Sequence, residues 1–281
     1  MNLFWIQLKG ELGKLFSRRR TYIGFIVFLA LELLVLRLMQ LDGAKRTMAR
    51  IIAETGYEAE AYLGGATLAF FVLLSSVMLL GGLYLALVSG DIVSKEVEDG
   101  TMRMLLCRPG SRGRILAIKF IACGVYTASL IAFLALTALA AGLLWRGAGG
   151  MFVFAPQEKV YALYDFAPGL SRYFAAIPLL ALGIFSVSAV GFFFSCLRMK
   201  PAAATTVTLS FFFVDSIMRS IPYFDSLREW FVTTRLMTWV NVFQYHIPWE
   251  QMLEDYSWLF GMNATLFVVA WIIFERRDFK T

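Results

Sequence analysis

The amino-acid sequence predicts an all-α membrane protein with six transmembrane helices, preceded by an N-terminal amphipathic elbow helix. Hydrophobic residues make up 59% of the 281 residues and charged residues only 16%, and the mean hydropathy is +0.68. Residues 61–90 contain no charged side chain, and about 20 apolar helical residues suffice to cross the core of a bilayer. The apolar runs are continuous and lack the alternation that a membrane β-barrel requires.

Six apolar stretches meet this length and form one transmembrane domain. They cover residues 22–39, 63–89, 114–145, 173–197, 201–218 and 256–274. The first contains Glu32, and a carboxylate at the centre of a spanning helix costs roughly 2.5–3.5 kcal/mol, so it must face protein, water or a cation. The fifth ends near Asp215 and Arg219, whose i,i+4 spacing favours mutual contact. Each of these three residues is a candidate for a polar group along a pathway or for a structural pair.

The distribution of Lys and Arg predicts the orientation. With both termini in the cytoplasm, residues 1–20, 91–119, 198–200 and 276–281 carry 16 of the 26 basic residues, as the positive-inside rule requires. We therefore expect an integral protein of a bacterial inner membrane. The net charge of +6 follows from these basic segments and predicts membrane lipids, not nucleic acid, as partners.

Residues 1–20 are predicted to form the elbow helix. Its apolar side chains fall on one face at helical spacing, namely Trp5, Leu8, Leu12, Leu15 and Phe16. Lys9, Glu11 and Lys14 are predicted to lie elsewhere, as in a helix that lies in the membrane interface; the alternative is a frayed tail. No cleavage site of small residues follows, so we expect the segment to be retained.

The segment 220–255 between the last two spans is too long for a turn and too apolar for a solvated loop. Its apolar residues recur at near-helical spacing. Two interpretations fit: a re-entrant helical pair in the outer leaflet, or an interfacial helix anchored by Trp230 and Trp239.

Residue types that would indicate catalysis are sparse. His246 is the single histidine, and the three cysteines do not form a disulfide framework. The sequence contains neither a Gly-x-Ser-x-Gly motif nor a phosphate loop; the nearest match to the latter, residues 10–14, has the wrong spacing and is followed by Leu15. We therefore predict no catalytic residue, no metal site and no cofactor bound by this chain.

The segment 91–112 between the second and third spans is densely charged. Gly100 is predicted to interrupt a short helix, Pro109 to stop the chain, and Ser111 to cap the third span. A simple connection needs about four to six residues, and this longer one presents charges of both signs. A docking surface for a partner protein and a solvated charged loop both fit these observations.

The order of residues in this segment resembles that of ABC-2 type transporter permeases. The similarity lies in Glu96-x-x-x-Gly100-Thr101, followed by Leu105, Pro109, Ser111-Arg112, Ile115 and Lys119. In that family the segment forms the coupling helix, which fits a groove on an ATP-binding subunit. The basic patch at 15–21 and the closing "IIFERRD" at 272–278 are also similar to the family. Each motif is degenerate, but their order and spacing together are fairly specific.

The resemblance implies the permease subunit of an ATP-driven exporter, with ATP and Mg²⁺ bound by a separate ATP-binding subunit. Two copies of that subunit would drive two permease chains, which we expect to form a homodimer. The resemblance further implies coupling roles for Glu96, Glu98, Asp99, Gly100, Thr101, Arg103, Pro109 and Arg112. The three acidic residues would contact the ATPase, the two arginines would brace the loop, and rigid Pro109 would transmit movement to the spans.

Two interpretations of other classes stay open. A secondary transporter would need ion-coupling charges near the membrane midplane, and apart from Glu32 the spans are nearly free of charge. A subunit that anchors or assembles other proteins without transporting a substrate is compatible with the same six spans.

Overall fold

The structure is a computed structural model that describes residues 3–53, 58–107 and 111–277. Within these ranges, six helices are long and apolar enough to cross a membrane. The prediction of an all-α membrane protein is therefore confirmed.

The spanning helices follow an N-terminal helix, α1 (Leu3–Ser17). The first span is α2 (Arg19–Leu38), and the second combines α5 (Gly65–Ser76), a π-helical turn (Val77–Gly81), α6 (Gly82–Asp91) and α7 (Ser94–Glu98). The remaining spans are α9 (Arg112–Arg146), α10 (Phe166–Cys196), α11 (Pro201–Ser220) and α13 (Trp249–Glu275). Between the first two spans lie α3 (Asp42–Ala53) and α4 (Ala59–Tyr62), and α8 (Thr101–Leu106) precedes the third.

The ends of two helices show why the chain turns where it does. The Ser111 side chain accepts a hydrogen bond from the Arg114 amide at 3.2 Å, which confirms the predicted cap of α9. Between α1 and α2, the Thr21 hydroxyl donates to the Leu15 carbonyl at 2.5 Å. This bond holds the bend of the elbow, while Leu8 and Leu15 are buried and Trp5 is exposed.

Small residues let the helices approach closely around α10. The Ser195 hydroxyl accepts hydrogen bonds from the amides of Val93 and Ser94 at 2.9 and 3.0 Å. A side chain at Gly191 would overlap Ser89. Close approach through small residues is the usual way in which membrane helices associate, and it joins α10 to the second span.

The chain between α9 and α10 forms an antiparallel hairpin that the sequence did not predict. Its strands are β1 (Met151–Ala155) and β2 (Val160–Tyr164), with Met151 opposite Tyr164. The Tyr164 hydroxyl donates to the carbonyl of Phe243 at 2.8 Å, so the hairpin packs on the segment that precedes α13.

That segment consists of three short helices, a 3₁₀ helix (Pro222–Trp230), α12 (Val232–Leu236) and a second 3₁₀ helix (Thr238–Phe243). Trp239 is 1% exposed and packs against Phe70, so its predicted role as an interfacial anchor is wrong. The aromatic pairing inside the bundle buries it, whereas Trp230 remains exposed.

We predict that Gly65→Ala destabilises the bundle by about 1–3 kcal/mol, the usual cost of overpacking. A Cβ at Gly65 would lie 2.7 Å from the Gly142 carbonyl oxygen and 2.8 Å from that of Gly147, and backbone atoms cannot rotate away. Thermal unfolding in detergent measures the loss. Gly261→Ala in α13 is the matched control, because nothing lies within 4 Å of that site. Equal midpoints of thermal unfolding for the two variants would contradict the close packing at Gly65.

Candidate functional site

The densely charged segment between the second and third spans forms two short helices, α7 and α8, which we call the helical pair. Gly100 separates them with φ of +71°, a left-handed conformation that favours glycine. The Gly100 amide donates to the Val97 carbonyl at 3.2 Å, and the Thr101 hydroxyl donates to the Glu96 carbonyl at 3.2 Å. The break therefore has a defined geometry and is closed by hydrogen bonds on both sides.

Four charged side chains bind the helical pair to the rest of the protein. The Lys119 ammonium lies 2.8 Å from a Glu96 oxygen and 3.0 Å from a Glu11 oxygen. Lys14 completes this four-charge cluster at 2.8 Å from Glu11 and 3.3 Å from Glu96. The cluster joins α7 to the elbow helix α1 and to the third span α9.

Most of the four-charge cluster is removed from water. The side chain of Lys119 is 1% exposed, that of Glu96 7% and that of Glu11 11%. Buried charges are tolerated when they are paired, and loss of one partner is costly because it leaves the other charge uncompensated. Two carboxylates and two ammonium groups balance here, so the position of α7 is set by charge as well as by packing.

The pKa of Glu11 reflects this pairing. Burial alone would raise it, but the positive charges of Lys119 and Lys14 outweigh the burial, and the pKa lies below its ordinary value of 4.5. Glu11 is therefore a carboxylate at neutral pH and supplies the negative charge that Lys119 needs.

The structure corrects the role expected of Glu96. Its side chain points into the four-charge cluster and does not reach the surface, so it cannot meet a partner protein in this conformation. The surface instead carries Lys95, Glu98 and Asp99, with the Lys95 ammonium 3.1 Å from Glu98 and 3.2 Å from Asp99. Such exposed ion pairs contribute about 0–1 kcal/mol, so these charges can exchange partners at little cost.

The other predicted coupling residues lie at the edges of the site. The Arg112 guanidinium donates to the carbonyls of Glu275 and Arg277 at 2.9 and 3.0 Å. It therefore braces α9 against the end of α13. Pro109 lies outside the described residues, and so does the side chain of Arg103.

A further ion pair joins the start of the first span to the second span. Arg20 at the start of α2 pairs with Asp91 at the end of α6. Arg277 donates to the carbonyls of Cys196 and Leu197, both at 3.1 Å. The start of α2 is thus tied to the second span, and the segment that follows α13 is tied to the end of the fourth.

The candidate pathway residue Glu32 lies inside the helix bundle of this chain. It is 1% exposed and faces Thr137 of α9. The Arg37 guanidinium lies over the ring of Trp145 at 4.5 Å from its centroid, so it does not pair with Glu32. Both carboxylate oxygens of Glu32 are buried without a hydrogen-bond partner among the described residues, so whether Glu32 lines a pathway or serves the structure stays a prediction.

Asp215 and Arg219 do not pair with each other, so that expectation is wrong. The Asp215 carboxylate accepts hydrogen bonds from the amides of Val232 and Thr233 at 3.2 and 2.8 Å. Arg219 donates to a Glu158 oxygen at 2.5 Å and to the Thr233 carbonyl at 3.1 Å. Both residues fasten the C-terminal end of α11 to the hairpin and to α12, and whether either lines a pathway stays a prediction.

Sequence reasoning missed the partners of Lys119. Glu11 was predicted to lie away from the apolar face of α1, and this is wrong: it is buried with Leu8 and Leu15, with which it repeats at helical spacing. An acidic residue on a buried face indicates a hidden cation, but nothing in the sequence identified Lys119 as that cation.

We predict that Lys119→Met destabilises the protein by about 3–5 kcal/mol, because it leaves Glu11 and Glu96 buried beside each other without their central cation. Unfolding by heat in detergent measures the effect. Addition of Glu11→Gln and Glu96→Gln to the same chain should restore much of the loss, since no buried charge then lacks a partner. Lys95→Met, in an exposed pair, is the control and should change stability by less than about 1 kcal/mol.

Stability should also depend on pH through Glu11. The pKa of Glu11 is lower in the folded state than its ordinary value of 4.5. Its contribution to the free energy of unfolding is therefore complete above pH 4.5 and is lost as the pH falls through the folded pKa. Between neutral and acid pH, the melting temperature of Glu11→Gln should fall by less than that of the wild type. Identical declines would show that the cluster does not hold Glu11 ionised.

Comparison with known proteins agrees with this architecture. A family model described as "ABC-2 family transporter protein" matches residues 11–278. A curated relative, the "Uncharacterized protein YhcI" of Bacillus subtilis (strain 168), is 28% identical over 117 residues, or 39% of this chain. The match spans about a third of that relative, 35% of its length. Because the family model covers nearly all of the described spans, the chain belongs to the ABC-2 transporter family and is a transmembrane component of an ABC transporter.

Proposed function

We propose that this chain is the permease subunit of an ATP-driven exporter and that its ATP-binding subunit docks on the helical pair. The observation that carries the proposal is the buried four-charge cluster under α7. A loop that binds no other protein does not need a fixed position relative to the spans, since loops lie in water and tolerate mobility. A docking surface requires exposed charges that can exchange partners, held in a fixed position by the rest of the protein.

The route for mechanical coupling follows from the same contacts. A displacement of α7 acts on the second span directly, because α7 continues α6 with one turn between them. It also acts on α9 through Lys119 and on α1 through Glu11 and Lys14. Closure of the ATPase on ATP would therefore move three elements together.

ATP and Mg²⁺ belong to the partner in this proposal. The ATP-binding subunit is present in two copies, and this chain binds no nucleotide. The chain supplies the membrane pathway and the docking surface, whereas hydrolysis takes place on the partner.

The second permease chain is proposed to be another copy of this one. Two spans leave apolar faces uncovered in a single chain: exposed side chains include Ile26, Leu33 and Leu34 on α2, and Phe213 and Val214 on α11. Such faces need lipid or a second chain. Both termini are proposed to lie in the cytoplasm of a bacterial cell, which agrees with the basic residues at the helical pair and with a bacterial relative.

Charge reversal tests the docking surface. Glu98→Lys with Asp99→Lys should lower recovery of an ATP-binding subunit with the tagged chain by about tenfold or more, because like charges then face the partner. Affinity purification from native membranes in mild detergent, with mass spectrometry and an ATPase assay, measures the recovery.

The matched control makes the same change at the opposite end of the fold. Glu250 and Glu254 are exposed at the start of α13, and Glu250→Lys with Glu254→Lys should leave recovery at the wild-type level. If the variant at the helical pair recovers the ATPase as well as this control does, the proposed docking surface is refuted.

A further inference from the structure

The second span is interrupted by a π-helical turn at its centre, between α5 and α6. The turn covers Val77–Gly81 and is followed directly by Gly82. A π turn widens the backbone and disturbs the regular ladder of hydrogen bonds, and kinks in helices occur at such turns and at glycines. The span therefore has a weak point in its backbone.

The two halves of this span pack against different helices. The outer half, α5, packs chiefly against α9 and α2, whereas the inner half, α6, packs chiefly against α10 and α11. The turn lies at the boundary between these two sets of contacts. At this boundary the Ser76 hydroxyl is fully buried and has no hydrogen-bond partner among the described residues, so the local polar contacts are incomplete in this conformation.

The glycines of the spans fall into two classes. Some are required by packing: a Cβ at Gly90 would lie 2.8 Å from the Thr205 hydroxyl, and one at Gly65 would lie 2.7 Å from the Gly142 carbonyl. Gly82 differs, since nothing lies within 4 Å of its Cβ position, and a Cβ at Gly81 would make an ordinary contact with Val77 at 3.4 Å. Alanine fits at Gly82 and is the better helix former. Glycine at this position therefore contributes backbone freedom and not close packing.

We propose that the π turn and Gly82 form a hinge in the second span, at which α6 and the helical pair change direction relative to α5. The inner half would move with α10 and α11. The four-charge cluster joins the helical pair to α1 and to the start of α9, so these two ends would follow, while α5 keeps its contacts with the rest of α9. The hinge lets a displacement at the cytoplasmic end reorient half a span instead of shifting the whole helix through the membrane. Its coupling to ATP rests on the proposed function, but the bending itself does not.

The test compares Gly82→Ala with Gly261→Ala. Both glycines lie inside spanning helices and have open space for a Cβ, so both variants should fold and both gain the same helix preference. Of the two, only Gly82 adjoins the π turn. The two readouts are amide hydrogen exchange of residues 77–86 in lipid nanodiscs and the ATPase activity of the assembled complex.

The expected result is slower exchange across 77–86 in Gly82→Ala by about fivefold, the effect of the glycine-to-alanine preference on a local opening. The ATPase of its complex should lose stimulation by the permease to a similar degree. Gly261→Ala should match the wild type in both measurements.

Wild-type exchange rates across 77–86 in Gly82→Ala would overturn the hinge. Slower exchange with full stimulation of the ATPase would overturn its part in coupling. If the wild-type chain recruits no ATPase, the proposed function fails, and the exchange measurement alone then decides whether the span bends at Gly82.

Discussion

The pairing of Lys119 is the constraint on which the arrangement of α1, α9 and the helical pair depends. Its ammonium group lies within the helix bundle at 1% exposure, and an unpaired ion there would cost several kcal/mol. The two carboxylates that pair with it come from α1 and α7, which are distant in sequence. The need to neutralise one charge therefore fixes an interfacial helix, a spanning helix and the helical pair relative to one another. The exposed charges Glu98 and Asp99 are presented on that fixed support.

Local and composition-based features could be predicted from the sequence. Spans are long apolar stretches, and length with hydropathy is sufficient to find them. Ser111 and Gly100 act on their immediate neighbours, through a cap and a left-handed turn, and so their effects could also be predicted. The number of spans and the helix break in the charged segment depend only on such local physics.

Features that depend on distant partners could not be predicted. The position of Glu96 in a charged segment predicts an exposed side chain, but its ion pairs with Lys119 and Lys14 bury it. Asp215 lies at a favourable spacing from Arg219 on the same helix, yet Arg219 pairs with Glu158 of the hairpin turn instead. The hairpin itself consists of two five-residue apolar strands, too short to be distinguished from the margins of the neighbouring spans. The partners of Glu96 and Arg219 lie 23 to 82 residues away in the sequence, beyond the reach of helical spacing.

The central claim is that the helical pair lies against an ATP-binding subunit, and the wild-type chain offers a direct probe of it. Cys107 is exposed at the end of α8, whereas Cys123 and Cys196 are buried, so a thiol-reactive photo-crosslinker attaches at one position in inverted native membrane vesicles. We expect an adduct with a protein that contains a phosphate-loop ATPase sequence, and we expect this adduct to be absent in Cys107→Ser. Reproducible labelling of Cys107 that yields only lipid adducts, with the protein intact, would contradict the account.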